Sequence, residues 1–196
     1  MKTSKTINLL LVIGLFLGLS LNSQILAQGQ YKLNGKPELK VMGGSTIHDW
    51  TMVSVLSQGN AEMIVEGTTV KNVKSANVTM KTESLKSGKG KMDEIAYETL
   101  KTKKHPTIQF TLTSFKIVDS KKAKATGNLT IAGTTKPVCF NTVITVKGES
   151  VFLTGETDIK FSDFNITPPT AMLGTIKTSN DLKLLFKVNF QQAAIQ

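Results

Sequence analysis

Hydrophobic and polar residues alternate with a period of two along most of the chain after residue 30. In residues 107–113, the apolar residues Ile108, Phe110 and Leu112 alternate with threonine and glutamine. Every second residue from Leu182 to Phe190 is likewise apolar. Successive side chains of a strand point to opposite faces, so this pattern predicts a sheet with one apolar face and one solvated face.

Turns rich in Gly, Asn, Asp and Ser divide this alternating region into short strands. The predicted strands cover residues 38–47, 50–55 with 61–66, 73–85, 107–118, 122–131, 136–146, 151–161 and 181–190. An open sheet of about eight strands would expose aggregation-prone edges, so the strands must curl or close. We therefore predict an all-β fold, an eight-stranded antiparallel barrel with one short helix between strands. A two-sheet sandwich is the alternative.

One segment, residues 92–104, has a helical period instead. Met92, Ile95, Ala96 and Leu100 are spaced i, i+3, i+4 and i+8, which places them on a single apolar stripe. Acidic residues in the first turn and lysines in the last match the helix dipole, and Pro106 ends the helix. The pattern leaves two placements open: the helix covers an open end of the barrel, or it packs on the outside.

Residues 1–27 have the composition of a secretory signal peptide. Lys2 and Lys5 precede an apolar run over residues 7–21, and a cleavage site follows at Ala27. An uncleaved membrane anchor is the alternative, although the apolar run is short for a span of roughly 20 residues. The sequence thus predicts a periplasmic or secreted protein whose single domain covers residues 30–190.

Export changes the meaning of Cys139, the single cysteine of the chain. A lone cysteine forms no internal disulfide, so the fold must be stabilised by packing alone. Its apolar neighbours in the run PVCF predict that Cys139 is a small buried core residue.

The charge of the chain is strongly positive, with a formal net charge of +10 from 24 basic and 14 acidic residues. All the basic residues are lysine. Bidentate recognition of phosphates and base edges normally uses arginine, so nucleic-acid binding is not expected. Two interpretations remain: a lysine-rich solvated surface, or transient contact with anionic membrane surfaces.

Candidate catalytic chemistry is sparse. His48 and His105 are the two histidines, and zinc needs three or four convergent ligands. The chain has no HxxH, CxxC or HExxH pattern and no GxSxG elbow. We therefore predict no metal, no cofactor and no enzymatic activity. The alternative is an enzyme acting on a lipid or quinone-like substrate, with His48 and Asp49 as acid and base.

A closed barrel with an apolar face and no catalytic set favours binding over catalysis. An eight-stranded barrel has room inside for one small ligand, and burial of an isoprenoid tail contributes about 0.8 kcal/mol per CH₂. The alternation predicts a ligand-binding wall, provided the register is not shifted by one residue. Its predicted members are Ile108, Phe110, Leu112, Leu129, Ile131, Phe140, Ile144, Ile159, Phe161, Leu184 and Phe186. His48, Trp50 and Tyr97 are predicted at the mouth.

Four ordered segments carry a family resemblance. They are STIHDW (residues 45–50), KHPTIQF (104–110), ATGNLTIAGTTKPVCF (125–140) and IKFSDFNI (159–166). With these segments the chain resembles the YceI-like family of exported polyisoprenoid-binding proteins, which have a lipocalin-like antiparallel barrel. The resemblance implies a protein that sequesters or carries a polyisoprenoid or similar amphiphilic lipid. It also implies a homodimer in some members, and neither metal nor catalytic residues.

Three positions depart from the family pattern. Ala132 stands where many members have histidine, Phe161 replaces a frequent arginine, and Asn165 replaces a frequent glycine. The resemblance therefore implies an apolar tail site more firmly than a head-group site. A structural or stress-response barrel filled by its own side chains remains a further hypothesis.

Overall fold

The computed structural model describes residues 28–193; the predicted signal peptide lies outside the described residues. The described chain is built almost wholly of strands, with one α-helix and short 3₁₀ segments at Thr82–Ser84, Phe161–Phe164 and Met172–Gly174. The strands and helix, in chain order, are β1 (Gln28–Ser45), β2 (Trp50–Ser54), β3 (Ser57–Glu66), β4 (Thr69–Lys81), α1 (Gly90–Thr99), β5 (Thr107–Asp119), β6 (Lys122–Ile131), β7 (Thr134–Lys147), β8 (Ser150–Lys160), β9 (Thr170–Ala171) and β10 (Ile176–Gln192).

Eight of these strands close into an antiparallel barrel. The hydrogen-bonded order runs β1, β3, β4, β5, β6, β7, β8 and β10, and β10 pairs again with β1. Strands β2 and β3 pair with successive parts of β1, so they act as one broken strand of the wall. The predicted fold class, a closed eight-stranded barrel with one helix, is confirmed.

Strand β1 is much longer than the alternation predicted. The prediction began at residue 38, but β1 begins at Gln28 and pairs with β3 through Gln28–Lys32. A register shift between Asn34 and Glu38, with Gly35 at φ 74°, bends the strand so that it can serve two partners. The turn-like composition of residues 34–37 hid the strand from a period-two pattern.

The two ends of the barrel are packed differently. At the end formed by the start of β1 and the end of β10, a fully buried cluster fills the interior, including Tyr31, Met63, Val151 and Phe190. We call this the closed end. The opposite end, the helix end, carries α1 and a second cluster around Phe140, Phe161 and Phe164. Apolar residues of α1 pack on Met52, Met80 and Leu85 there.

Helix α1 lies over the barrel end, which decides between the two placements left open by the sequence. The helix ends at Thr99, whereas the sequence predicted an end at residue 104. It stops early because Lys101 takes a left-handed conformation with φ 52°. The Lys101 carbonyl then accepts the backbone N–H of His105 at 2.8 Å, which turns the chain into β5. Within residues 28–193, no helix is long and apolar enough to span a membrane.

The prediction that Cys139 is a buried core residue is wrong. Its neighbours Val138 and Phe140 are buried, whereas Cys139 is exposed on the outer face of β7. Because side chains alternate along a strand, a residue between two inward-facing neighbours must point outward. The apolar run PVCF obscured this alternation.

Candidate functional site

The barrel encloses an apolar cavity of about 210 Å³. We call it the lumen. Strands from all around the barrel contribute to its wall, since each turns alternate residues inward. The lumen is lined almost wholly by aliphatic and aromatic side chains. Thr142 is a polar exception, but it is buried and its hydroxyl donates to the Phe140 carbonyl of its own strand at 3.4 Å.

Nine of the eleven predicted wall residues line the lumen. They are Ile108, Phe110, Leu112, Leu129, Ile131, Phe140, Ile159, Leu184 and Phe186. The other two lie elsewhere. Ile144 packs in the cluster of the closed end, and Phe161 lies buried at the helix end. The alternation therefore identified the inward-facing residues of β5, β6 and β10 correctly.

Three phenylalanine rings form an aromatic layer across the lumen. The Phe140 ring meets Phe110 edge-on, with ring centroids 5.7 Å apart, and meets Phe186 at 5.2 Å. Two of the rings rest on glycines. A Cβ added at Gly127 would lie 2.4 Å from the Phe110 ring, and one at Gly155 would lie 2.5 Å from the Phe186 ring. The glycines thus leave room for the rings to lie back against the wall.

A second cavity, of about 340 Å³, lies between α1 and the end of the barrel. We call it the chamber. Val41, Leu85 and Leu182 line both the lumen and the chamber, so the two cavities adjoin. Helix α1 supplies Met92, Ile95, Ala96 and Thr99 to the chamber wall, and Leu100, which directly follows the helix, also lines it. Lumen and chamber therefore lie next to each other at the helix end, on either side of these shared side chains.

Three predicted residues border the chamber: His48, Trp50 and Phe161. The Trp50 indole donates to the Gly44 carbonyl at 3.1 Å and lies against Gly43, which has no side chain to obstruct it. His48 is exposed, and its Nδ1 lies 3.0 Å from the Asp49 backbone carbonyl. This bond uses the main chain of Asp49 rather than its carboxylate, so it does not build the acid–base pair of the alternative enzyme hypothesis.

Tyr97, predicted at the mouth, borders neither cavity and instead ties α1 to the barrel. Its hydroxyl lies 2.8 Å from both the Glu83 and Leu85 carbonyls, one of which accepts its proton. The Lys86 amino group donates to the same hydroxyl at 2.6 Å, and this bond raises the pKa of Lys86 above its ordinary value. Tyr97 therefore fixes the position of the helix over the chamber.

Asp93 provides a second tie at the start of α1. Its carboxylate accepts the Ser87 hydroxyl at 2.6 Å and the Ser87 backbone N–H at 2.8 Å. Burial by itself would raise the pKa of Asp93. The two Ser87 hydrogen bonds, with Lys86 nearby, outweigh it and hold the pKa below its ordinary value. The loop before the helix is thus anchored to the helix itself.

Several lining residues were not predicted. In the lumen they include Leu39, Met63, Val73 and Val78, and in the chamber the apolar face of α1. A signal for some of them was present, since Leu39 and Val41 alternate within a predicted strand. Among residues 28–193, no three His, Cys, Asp or Glu side chains converge in a way that could hold a metal ion.

A closed antiparallel barrel of eight strands around an apolar lumen places the protein in the class of lipocalin-like up-and-down barrels. The family is narrower. The YceI-like domain matches residues 42–190, and the chain belongs to the YceI-like family.

One curated protein and two solved structures are similar to this chain. A UPF0312 protein of Pseudomonas putida is 33% identical over 108 residues, 51% of this chain and 56% of that protein. The chain thus spans about half the length of the curated relatives it matches. The structure of Burkholderia cenocepacia BcnA superposes with a TM-score of 0.65 and 16% identity, over 78% of this chain and 95% of that one. A polyisoprenoid binding domain from Saccharophagus degradans, implicated in plant cell wall breakdown, superposes with a TM-score of 0.63 and 12% identity, over 83% of this chain and 98% of that one. At these identities the two structures share the fold of this chain.

Proposed function

We propose that this protein binds a polyisoprenoid or similar amphiphilic lipid, with the apolar tail in the lumen. The observation that carries the proposal is the apolar lining of the lumen, with the chamber beneath α1 adjoining it at the helix end. The Saccharophagus degradans protein of the same fold, described as polyisoprenoid-binding, supports the choice of ligand class.

Burial of the tail in the lumen contributes about 0.8 kcal/mol per CH₂ before ordering costs are subtracted. The part of a longer tail that extends beyond the lumen is proposed to lie in the chamber beneath α1.

The head group is proposed to lie at the chamber, where polar and apolar side chains meet. His48, Trp50, Lys89 and Lys91 border it, and Phe161 occupies the place of a frequent family arginine. Tyr97 acts in this proposal by positioning the helix. We further propose that the protein sequesters or carries this lipid in the periplasm or outside the cell. This location depends on the predicted signal peptide.

The test is extraction of the purified native protein with organic solvent, followed by mass spectrometry of the extract. We expect a lipid near one-to-one stoichiometry. Leu184→Trp, which fills the lumen from its wall, should lower that stoichiometry severalfold. Phe152→Trp is the control, because Phe152 is 39% exposed on the outside of the barrel and the substitution places the same indole on the outer surface.

Two results would contradict the proposal. Extracts that contain no lipid, from protein expressed in a host that makes polyisoprenoids, would favour a barrel without a ligand. Equal lipid content in Leu184→Trp and Phe152→Trp would place the ligand outside the lumen. Circular dichroism of both variants establishes that each is folded before extraction.

A further inference from the structure

Three large apolar side chains stand exposed at the helix end. Leu173 is 107% exposed, Met172 is 73% exposed and Ile47 is 62% exposed. They belong to two loops, residues 46–49 between β1 and β2 and residues 172–175 between β9 and β10. We call these the mouth loops. Apolar side chains so fully exposed cost solubility, so a group of them at one place indicates a surface with a use.

The mouth loops are neighbours, joined by main-chain contacts. The Thr46 N–H donates to the Lys177 carbonyl at 3.0 Å, and the Lys177 N–H donates to the Thr46 hydroxyl at 3.2 Å. The short pairing of β9 with β10 holds the second loop as a hairpin. Ile47, Ala171 and Ile176 line the chamber, so the loops form one rim of its opening.

The backbone of the hairpin tip is unusual for the residues that it carries. Met172 and Leu173 have φ of 49° and 56°, in the left-handed region that favours glycine and asparagine. Gly174 follows at φ 88°. Two bulky residues in this conformation, both largely exposed to solvent, are not explained by stability of the fold.

Lysines flank the exposed apolar tips. Lys177 lies at the base of the hairpin, and Lys89 lines the chamber opposite. Both are exposed, and no salt bridge among the described residues involves either one. Over residues 86–104 there are six lysines and three acidic residues, and the mouth loops carry one acidic residue, Asp49. Apolar tips beside unpaired lysines complement a membrane with an apolar interior and anionic head groups.

We propose that the mouth loops dock the protein on anionic phospholipid membranes, with Met172, Leu173 and Ile47 entering the interface and Lys89 and Lys177 contacting lipid phosphates. The docked orientation turns the opening of the chamber towards the bilayer. Only the use of this contact for lipid loading depends on the proposed function. The docking itself does not depend on a ligand in the lumen.

The test is co-sedimentation of the full mature protein with vesicles of phosphatidylglycerol and phosphatidylcholine, and with vesicles of phosphatidylcholine alone. We expect binding to the anionic vesicles that weakens with salt, since the Debye length falls from about 10 Å at 0.1 M to about 3 Å at 1 M. The double variant Met172→Ser with Leu173→Ser should bind roughly tenfold more weakly or worse. Val118→Ser with Val143→Ser, which removes two exposed valines from the outer wall, should bind normally.

The contribution of lysine to vesicle binding is tested by a matched pair of variants. Lys177→Gln should weaken binding to anionic vesicles about fivefold, the expected loss for one lysine near an anionic surface. Lys121→Gln, an exposed lysine in the turn between β5 and β6 at the closed end, should have little effect.

Several outcomes would overturn the docking proposal. Absence of binding to anionic vesicles would do so, and so would equal loss in the mouth-loop and outer-wall variants. A dimer in light scattering that dissociates on Leu173→Ser would assign the surface to a second copy of the chain. If the mouth-loop variants lose vesicle binding while purified protein still contains lipid, docking stands apart from the lumen proposal. If vesicles bind normally and no lipid is ever extracted, the lumen proposal alone fails.

Discussion

The closed end and the helix end are built from the same alternating strands, yet their interiors differ. At the closed end, Met63 and Val151 are at most 1% exposed, Tyr31 and Phe190 are buried beside them, and Met63 and Phe190 border the lumen from this end. At the helix end, the side chains of the strands do not fill the interior, and helix α1 covers the chamber that remains. The comparison shows that both ends contain buried apolar clusters, whereas the helix end alone leaves a chamber beneath a helix and exposes apolar residues on the mouth loops.

The largest expected effect is a substitution in the core of the closed end. Met63→Ala removes a fully buried side chain and should lower the free energy of unfolding by about 2–5 kcal/mol. Met172→Ala at the exposed mouth should change it by less than about 0.5 kcal/mol. Urea denaturation measures both. Similar losses for the two variants would erase the distinction between the ends.

The aromatic layer between the two ends gives the next effect. In Gly155→Ala the new methyl group would meet the Phe186 ring, so the ring must swing away from the wall into the lumen. We expect a loss of about 1–3 kcal/mol in unfolding free energy from overpacking, together with lower lipid content. Gly148→Ala, which has open space around its Cβ but a positive φ of 57°, controls for the loss of a glycine alone. Unchanged lipid content would show that the Phe186 ring does not limit the lumen.

The hydrogen bonds of Tyr97 that hold α1 on the barrel should matter less for stability than for the rate of lipid release. Tyr97→Phe removes the bonds to Lys86 and to the loop carbonyls, at a cost of about 0.5–1.5 kcal/mol. If α1 controls access to the chamber, a fluorescent lipid should leave this variant faster than it leaves the native protein. Stopped-flow transfer to acceptor vesicles measures the rate. Identical rates would mean that the helix does not gate the chamber.

The smallest effect is an acid dependence at Asp93. Its pKa in the folded protein lies below the ordinary value of 3.8, so its ionised form stabilises the fold. That contribution is fully present above the ordinary pKa and is lost as pH falls through the lowered folded value. Between pH 5 and pH 2, Asp93→Asn should therefore lose less stability than the native protein, because its amide does not titrate. Parallel pH profiles of unfolding free energy would contradict this account.

The segment KHPTIQF shows how far sequence reasoning reached. Its alternating half correctly turned Ile108 and Phe110 towards the lumen. Its first half builds a corner instead: the His105 and Pro106 carbonyls accept bonds from the Thr82 hydroxyl and N–H, and the His105 ring rests on Gly133. Neither partner is near in the chain, so no local pattern could predict this corner. The same reason hid the role of Tyr97, whose spacing on the helix does not identify its partners.

The sequence by itself determined the strand class, the inward face of most strands, the existence of α1 and the family. These depend on residue period and short motifs, which act over a few positions. Only the tertiary structure decided which end of the barrel holds the chamber, which side chains leave a cavity and where the helix lies. Those features depend on side chains from distant strands filling, or failing to fill, one shared interior. The sum of their volumes and their order around the barrel cannot be read from any single segment.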